Sequence, residues 1–285
     1  FFSAASEAAS VMTSYSRDAV LISAAVAAGS LLAFRLLSSS SPSSSGGAPR
    51  SPAGGRIQLE YFNIKGVGEK VRLALALNGI EFDDVRLTRA EWRGKDGGAA
   101  GRKSTAKFGQ LPILTLPDGR EIYQSDAMLR YVGAMGNGSL YPAHDAERRL
   151  EIDCALGLLA DLERSWRPNL VVGFSPSKYG HAVELDGDAK KAVLKAMRET
   201  WVAEELPKYM QYLADLIDAG GGPFLCGATL TIADLQAASQ IGYYGRGVAD
   251  FVPASSLDAF PKIQVYLASV QAEPRVAKYY ASLEQ

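Results

Sequence analysis

The segment LEYFNIKGVGEKVR, residues 59–72, holds the features that decide the fold. It begins inside a run, residues 57–62, in which apolar and polar side chains alternate as they do in a β-strand. Two glycines, Gly66 and Gly68, then interrupt the run before a helical pattern begins. Tyr61 lies near the end of the predicted strand, where its hydroxyl can face a cleft instead of the core.

The elements that follow complete an α/β pattern. A helix and three further strands are predicted, in chain order: helix 69–77, strand 80–87, strand 113–116 and strand 121–123. Strand 57–62, helix 69–77 and strand 80–87 make a β-α-β unit, whose crossover is expected to be right-handed. Pro117-Asp118-Gly119 turns a hairpin, and Ser125 is expected to cap the next helix. The order β-α-β, loop, β-β-α predicts a thioredoxin-like domain over residues 56–136.

The remainder of the chain reads as helical. Apolar side chains recur at helical spacing over residues 146–166 and 189–219. Thr231 and Asp234 have the spacing of a capping box at the start of a further helix. These patterns predict an all-helical domain over residues 143–285.

The first 55 residues have a different character. Residues 19–37 are almost entirely apolar, and this run is just long enough for the roughly 20 residues that span a bilayer. The run can be a membrane anchor, the apolar part of a removed targeting peptide, or a soluble helix. We therefore assign 1–37 as a hydrophobic segment and 38–55, rich in Ser, Gly and Pro, as a disordered linker.

Composition excludes several classes of function. The formal net charge of −1 gives no basic face for nucleic acid. The two cysteines, Cys154 and Cys226, lie far apart and in apolar surroundings, which favours buried free thiols in a reducing compartment. His144 and His181 are the two histidines, and neither has a second ligand at metal spacing, so no metal site is expected.

Three motifs together resemble a known family. The Tyr61-Phe62 pair, the run Phe108-Gly109-Gln110-Leu111-Pro112 and the run Gln124-Ser125-Asp126 resemble the glutathione-binding half of a cytosolic glutathione transferase. The nearest resemblance is to the tyrosine-type, sigma-like branch that includes glutathione-dependent prostaglandin D synthases, and it extends from about Arg56 to the C-terminus. It implies a thioredoxin-like domain followed by an all-helical domain, a homodimer, and glutathione as co-substrate.

The resemblance implies a role for Tyr61. A free thiol has a pKa of about 8.5 and must ionise before it attacks an electrophile. A hydroxyl that donates a hydrogen bond to the sulfur stabilises the thiolate. Tyr61 is therefore the expected catalytic residue for conjugation of glutathione to hydrophobic electrophiles, although a tyrosine whose ring fills the core would look the same in the sequence.

The resemblance also implies the glutathione-binding residues. Pro112 is expected to be cis, with the backbone of Leu111 pairing with the cysteinyl peptide. Gln124 and Ser125 begin a helix, where N–H groups attract the γ-glutamyl carboxylate. Asp161 is expected to reach the partner subunit's glutathione ammonium. The residues expected to contact the glycyl end or complete the site are Trp92, Lys103, Gln110 and Phe62.

Two departures from the family leave alternatives open. Val67 stands where sigma-like enzymes commonly have an arginine beside the thiol, and the loop at 93–102 is about seven residues longer than in the family. A non-catalytic scaffold subunit and a glutathione-dependent lipid isomerase or peroxidase are the alternatives to a transferase. The globular part is expected in the cytoplasm or an organelle, with a possible membrane tether through residues 19–37.

Overall fold

The computed structural model describes residues 55–94, 98, 100–180 and 187–283. The hydrophobic segment predicted over 1–37 and nearly all of the predicted linker lie outside these residues, as do His181 and residues 95–97 and 99 of the long loop. Among the described residues, no helix combines the length and the apolar character needed to cross a membrane.

A mixed four-stranded sheet forms the first domain. Its strands are β1 (Ile57–Phe62), β2 (Phe82–Leu87), β3 (Ile113–Thr115) and β4 (Glu121–Ile122). The spatial order is β2-β1-β3-β4, with β1 parallel to β2 and antiparallel to β3. The sequence therefore predicted the β-α-β, β-β-α order correctly. Strand β2 begins at Phe82, two residues later than expected.

Helix α1 (Glu69–Leu77) connects β1 to β2 and has the predicted bounds. Its residues Val71 and Leu75 are fully buried in the main core. The helix ends where Asn78 is followed by Gly79, which has a φ of 65° and so adopts a conformation that few other residues accept. Short helix α2 (Arg89–Arg93) follows β2.

Helix α3 (Ser125–Gly133) corrects one prediction about the site. The capping position belongs to Gln124, whose φ of 71° and ψ of 107° are not helical, and no side chain caps the helix. Ser125 is already the first helical residue, so its prediction as the cap was wrong. The chain leaves β4 and turns at Gln124, one residue earlier than the Ser preference for caps suggested.

In the described part of the second domain there are five α-helices. They are α4 (Ala146–Val171), α5 (Gly187–Gly220), α6 (Ile232–Tyr244), α7 (Pro261–Ala272) and α8 (Pro274–Ser282). Thr231 and Asp234 form the predicted capping box at α6. Asp234 is completely buried and also accepts hydrogen bonds from the Leu225 N–H at 2.9 Å and the Tyr266 hydroxyl at 3.0 Å. This carboxylate joins three segments of the helical core.

The two domains meet where α1 and α3 pack against α6 and where α1 packs against α8. The Lys70 ammonium, on α1, is buried and contacts Asp126 of α3 and the Gln236 side-chain oxygen of α6, the latter at 3.1 Å. One cation thus connects the end of the sheet domain to the helical domain.

The cysteines follow the prediction only in part. Both are free thiols, and Cys226 is buried, with a pKa raised to about 11 chiefly by that burial. Cys154 is exposed, so its predicted burial was wrong. On α4 the core-facing stripe contains Ile152, Leu156 and Leu159, and Cys154 points away from it.

Candidate active site

Tyr61 lies under a tight loop at the end of β1. Its side chain is 8% exposed, and its hydroxyl accepts a hydrogen bond from the Val67 N–H at 3.3 Å. A Cβ atom added to Gly66 would lie 2.6 Å from the hydroxyl oxygen, and one added to Gly68 would lie 2.8 Å from the ring. The two glycines are therefore required for the loop to close over the ring.

The surroundings of Tyr61 keep its hydroxyl protonated. Burial, the largest effect, raises the pKa of Tyr61, and the carboxylate of Glu163 raises it further. The Val67 N–H and the Arg72 guanidinium act in the opposite direction, but the pKa remains above its ordinary value. At neutral pH the residue is a neutral phenol. Because Val67 donates to the oxygen, the phenol's own proton remains available for an acceptor.

Phe62 points to the opposite face of the sheet from Tyr61, because consecutive strand residues point to opposite sides. Trp92, on α2, packs against Phe62 there. Their rings pack edge to face, with centroids 6.4 Å apart. Trp92 is 7% exposed and forms a small second core with Ala106 and Ile113. Its packing role is therefore clear, while its contact with the glycyl end of glutathione stays a prediction.

The loop before β3 has the predicted backbone. The Leu111–Pro112 peptide bond is cis, as the resemblance implied. Gln110 is exposed just before it, and the Lys103 side chain passes beside Gly109, with its Cε 3.6 Å from the position of an added Cβ. The fold thus brings Lys103 and Gln110 to one edge of the sheet domain.

Polar groups of Gln124 and Ser125 lie at the N-terminus of α3. Gln124 is exposed and one of two described non-glycine residues with positive φ, a strained conformation that costs on the order of 1–3 kcal/mol and clusters at functional sites. Ser125 follows in the first helical turn, where backbone N–H groups have no partner within the helix.

Several comparisons place the chain among known proteins. The sequence profile of the glutathione S-transferase C-terminal domain matches residues 178–283. Glutathione S-transferase 1 of Ascaris suum is 28% identical over 227 residues, which is 79% of this chain and 96% of the relative. Glutathione S-transferase P 1 of Xenopus laevis is 29% identical over 79% of this chain and 91% of the relative.

The chain is thus similar to glutathione S-transferases over 79% of its length. Solved structures show the same similarity. Glutathione S-transferase from Ascaris lumbricoides matches with a TM-score of 0.60 at 25% identity, over 80% of this chain and 97% of the other. Prostaglandin synthase D of Nilaparvata lugens has the same fold, with a TM-score of 0.62 at 24% identity. The match covers 80% of this chain and 98% of the other. The chain has the glutathione transferase fold, with the sheet domain first and the helical domain second, as expected.

Asp161 lies apart from the other predicted site residues. It lies on the exposed side of α4 and pairs with Arg164, one turn further along. Its contact with the glutathione of a partner subunit stays a prediction.

Sequence reasoning missed an arginine that anchors the long loop. The Arg102 guanidinium donates to both Glu60 carboxylate oxygens, at 2.8 and 3.1 Å, and also contacts Glu121 on β4. Gly94 and Ala100 pair across the neck of the loop. The end of the loop is therefore attached to the sheet just before Lys103. No spacing signal in the sequence indicated this, because Glu60 and Arg102 are 42 positions apart.

Proposed function

We propose that this protein conjugates glutathione to hydrophobic electrophiles, with the Tyr61 hydroxyl stabilising the thiolate. The observation that carries the proposal is the buried, protonated Tyr61 hydroxyl, held by the Val67 N–H at 3.3 Å. The names of the relatives, which are glutathione S-transferases, support the same reaction class.

The chemistry follows from the hydroxyl's two hydrogen bonds. Val67 donates to the Tyr61 oxygen, and Tyr61 donates its proton to the glutathione sulfur. That second bond stabilises the thiolate relative to the thiol, so the thiol loses its proton to solvent at a lower pH. The thiolate then attacks the electrophile, a C–S bond forms, and a leaving group departs where the electrophile carries one.

The rest of the site would hold glutathione in place. The N–H groups at Ser125 and the side chain of Gln124 would bind the γ-glutamyl carboxylate. The backbone of Leu111, before Pro112, would pair with the cysteinyl peptide. The residues assigned to the glycyl end or to shaping the site remain those of the resemblance: Trp92, Lys103, Gln110 and Phe62.

The electrophile would enter beside the loop that carries Val67. Ile64 is 57% exposed there and offers an apolar contact. Trp166, on α4, is 5% exposed, with its ring centroid 4.8 Å from Trp201 and 5.5 Å from Tyr244. It belongs to the aromatic core of the helical domain. Val67, in place of an arginine, leaves this side of the thiol without a cation.

A homodimer is part of the proposal, because Asp161 would complete the partner subunit's site. One solved neighbour, a glutathione S-transferase from Necator americanus, is described as monomeric. Sedimentation of the full chain therefore belongs to the test, beside the affinity for glutathione of the Asp161→Asn variant. A dimer whose glutathione affinity falls in Asp161→Asn supports the shared site.

The experiment measures glutathione binding by titration calorimetry and turnover with a hydrophobic aryl halide, using the full chain. Tyr61→Phe should retain binding and lose most turnover. Tyr141→Phe is the matched control, since it removes a buried hydroxyl that donates to Asp153 at 2.9 Å, in contact with neither Val67 nor Gln124. Binding without turnover in the unaltered protein would support a scaffold, and turnover of a lipid endoperoxide alone would support an isomerase.

A further inference from the structure

Arg72 binds the first half of the loop that holds Tyr61. It is fully buried on α1, and its Nη1 donates to the carbonyl oxygens of Ile64 at 3.1 Å and Lys65 at 3.3 Å. Its Nη2 donates to the Phe62 carbonyl oxygen at 3.5 Å. The guanidinium carbon lies 5.6 Å from the centroid of the Tyr61 ring. One side chain therefore holds three backbone carbonyls within residues 62–65, before the glycines of the loop.

Two carboxylates hold the guanidinium in that orientation. The Asp84 carboxylate, on β2, accepts from Nε at 3.0 Å, and the Glu69 carboxylate, on α1, accepts from Nη1 at 3.1 Å. A planar guanidinium with five fixed donors can serve all of these acceptors at once, which an ammonium cannot. Breaking a buried pair of this kind is costly, because it leaves a charge without its partner.

The last helix covers this cluster. On α8, Val276, Tyr279 and Tyr280 lie at i, i+3 and i+4 and face α1. The Lys65 ammonium lies 4.3 Å from the centroid of the Tyr280 ring, a cation–π contact made by the loop itself. Burial first, and then the Glu69 carboxylate, raise the pKa of both tyrosines, so their hydroxyls are neutral beside that carboxylate.

Two buried polar atoms at this junction have no hydrogen-bond partner in the described part of the chain. They are one carboxylate oxygen of Glu69 and the hydroxyl of Tyr279. Such atoms cost free energy, and they are rare in folded proteins. A buried charge cluster of this kind is weak evidence for added stability.

We propose that Arg72 is the residue that positions Tyr61 for thiol activation, and that α8 keeps the Arg72 cluster and the loop in place. The inference rests on the proposed function for its catalytic part. Its structural part, the holding of residues 63–68, is independent of glutathione and is tested separately.

The main variant is Arg72→Lys in the full chain, with Arg198→Lys as the matched control. Arg198 is also buried and also donates to backbone carbonyls, those of Asn169 and Asp250, but in the helical domain. Tyr280→Leu tests the contribution of α8. The melting temperature and the pH profile of turnover are recorded for each protein, and three readouts decide the inference: amide hydrogen exchange of residues 63–68, glutathione affinity, and the pKa of the bound thiol.

Arg72→Lys should speed amide exchange in residues 63–68 about tenfold or more, because the three donors of an ammonium cannot serve three carbonyls and two carboxylates at once. The pKa of bound glutathione's thiol should rise by about one pH unit, which costs about tenfold in turnover below that pKa. Glutathione affinity should change little, and turnover should recover as the pH is raised. Tyr280→Leu should produce the same changes in smaller measure.

Arg198→Lys should lower the melting temperature while leaving exchange in residues 63–68 and the thiol pKa unchanged. If both lysine variants shift the three readouts alike, Arg72 is a stabilising residue only and the inference is wrong. Unchanged exchange in Arg72→Lys also overturns it. Unchanged exchange in Tyr280→Leu overturns the part assigned to α8. If the unaltered protein does not bind glutathione, the proposed function fails, while the exchange measurement still decides the positioning of the loop.

Discussion

The Val67 N–H donates a hydrogen bond to the Tyr61 hydroxyl across 3.3 Å, six residues along the chain. The position where sigma-like relatives commonly carry an arginine therefore acts here through its backbone, and its side chain can be apolar. The bond leaves the hydroxyl's proton for a second acceptor, and burial keeps that proton bound at neutral pH.

Substitution of Gly68 tests the fit of the loop over Tyr61. In Gly68→Ala the new methyl group would lie 2.8 Å from the Tyr61 ring, so the ring or the loop must move. We expect a loss of about 1–3 kcal/mol in the free energy of unfolding, together with reduced turnover. Chemical denaturation of the variant measures the free energy of unfolding, and an activity assay measures turnover.

Gly157→Ala is the control for this substitution. Gly157 lies within α4, and an added Cβ meets no atom within 4 Å. Alanine there should stabilise the protein by about 0.5–1 kcal/mol, because glycine is a poor helix former. Equal behaviour of the two variants would contradict close packing at Gly68.

Removal of the negative charge at Glu163 should favour the ionised forms of Tyr61 and of the thiol of bound glutathione. Glu163 raises the pKa of Tyr61, and Arg72 is the cation that lowers it. Glu163→Gln should therefore lower the pKa of Tyr61 and of the bound thiol, and turnover should rise on the acidic side of the pH profile. Glu205→Gln, an exposed carboxylate that pairs with Lys208, should leave the profile where it was. A profile that moves to higher pH in Glu163→Gln would contradict this electrostatic role of Glu163.

Loss of the buried carboxylate of Asp234 should destabilise the helical domain. Asp234 accepts hydrogen bonds from the N–H groups of Leu225 and Thr231 and from the Tyr266 hydroxyl. Asp234→Ala leaves these buried donors without an acceptor, and we expect a loss of at least about 3 kcal/mol in the free energy of unfolding. Asp145→Ala removes an exposed cap that accepts one N–H and should cost about 1 kcal/mol. Comparable losses in the two variants would show that burial of Asp234 adds nothing.

Local sequence patterns predicted the parts of the fold that depend on local physics. The bounds of β1 and α1 follow from the alternation before Tyr61 and from Gly68 and Asn78, which lie at the ends of the helix. The capping box at Asp234 was equally visible. The cap at Ser125 was predicted wrongly, because the backbone turn at Gln124 outweighs the preference of serine for capping positions.

Contacts between residues far apart in the chain could not be predicted from the sequence. The burial of Arg72 depends on Asp84 and on loop carbonyls that only the folded β-α-β unit brings together. Glu163 acts on Tyr61 from a helix about 100 positions away, so no periodicity relates the two. Cys154 lies close to core residues in sequence, yet its direction on α4 places it outside.

The measurement that tests the role of Tyr61 most directly is the pKa of the thiol of bound glutathione, followed by thiolate absorbance in the unaltered protein and in Tyr61→Phe. We predict a pKa below that of free glutathione in the unaltered protein, and a return toward the free value in Tyr61→Phe. Turnover at neutral pH should fall on the order of 10²-fold with it, as when one donor to a developing anion is removed. A bound thiol with the same pKa in both proteins would contradict thiolate stabilisation by Tyr61.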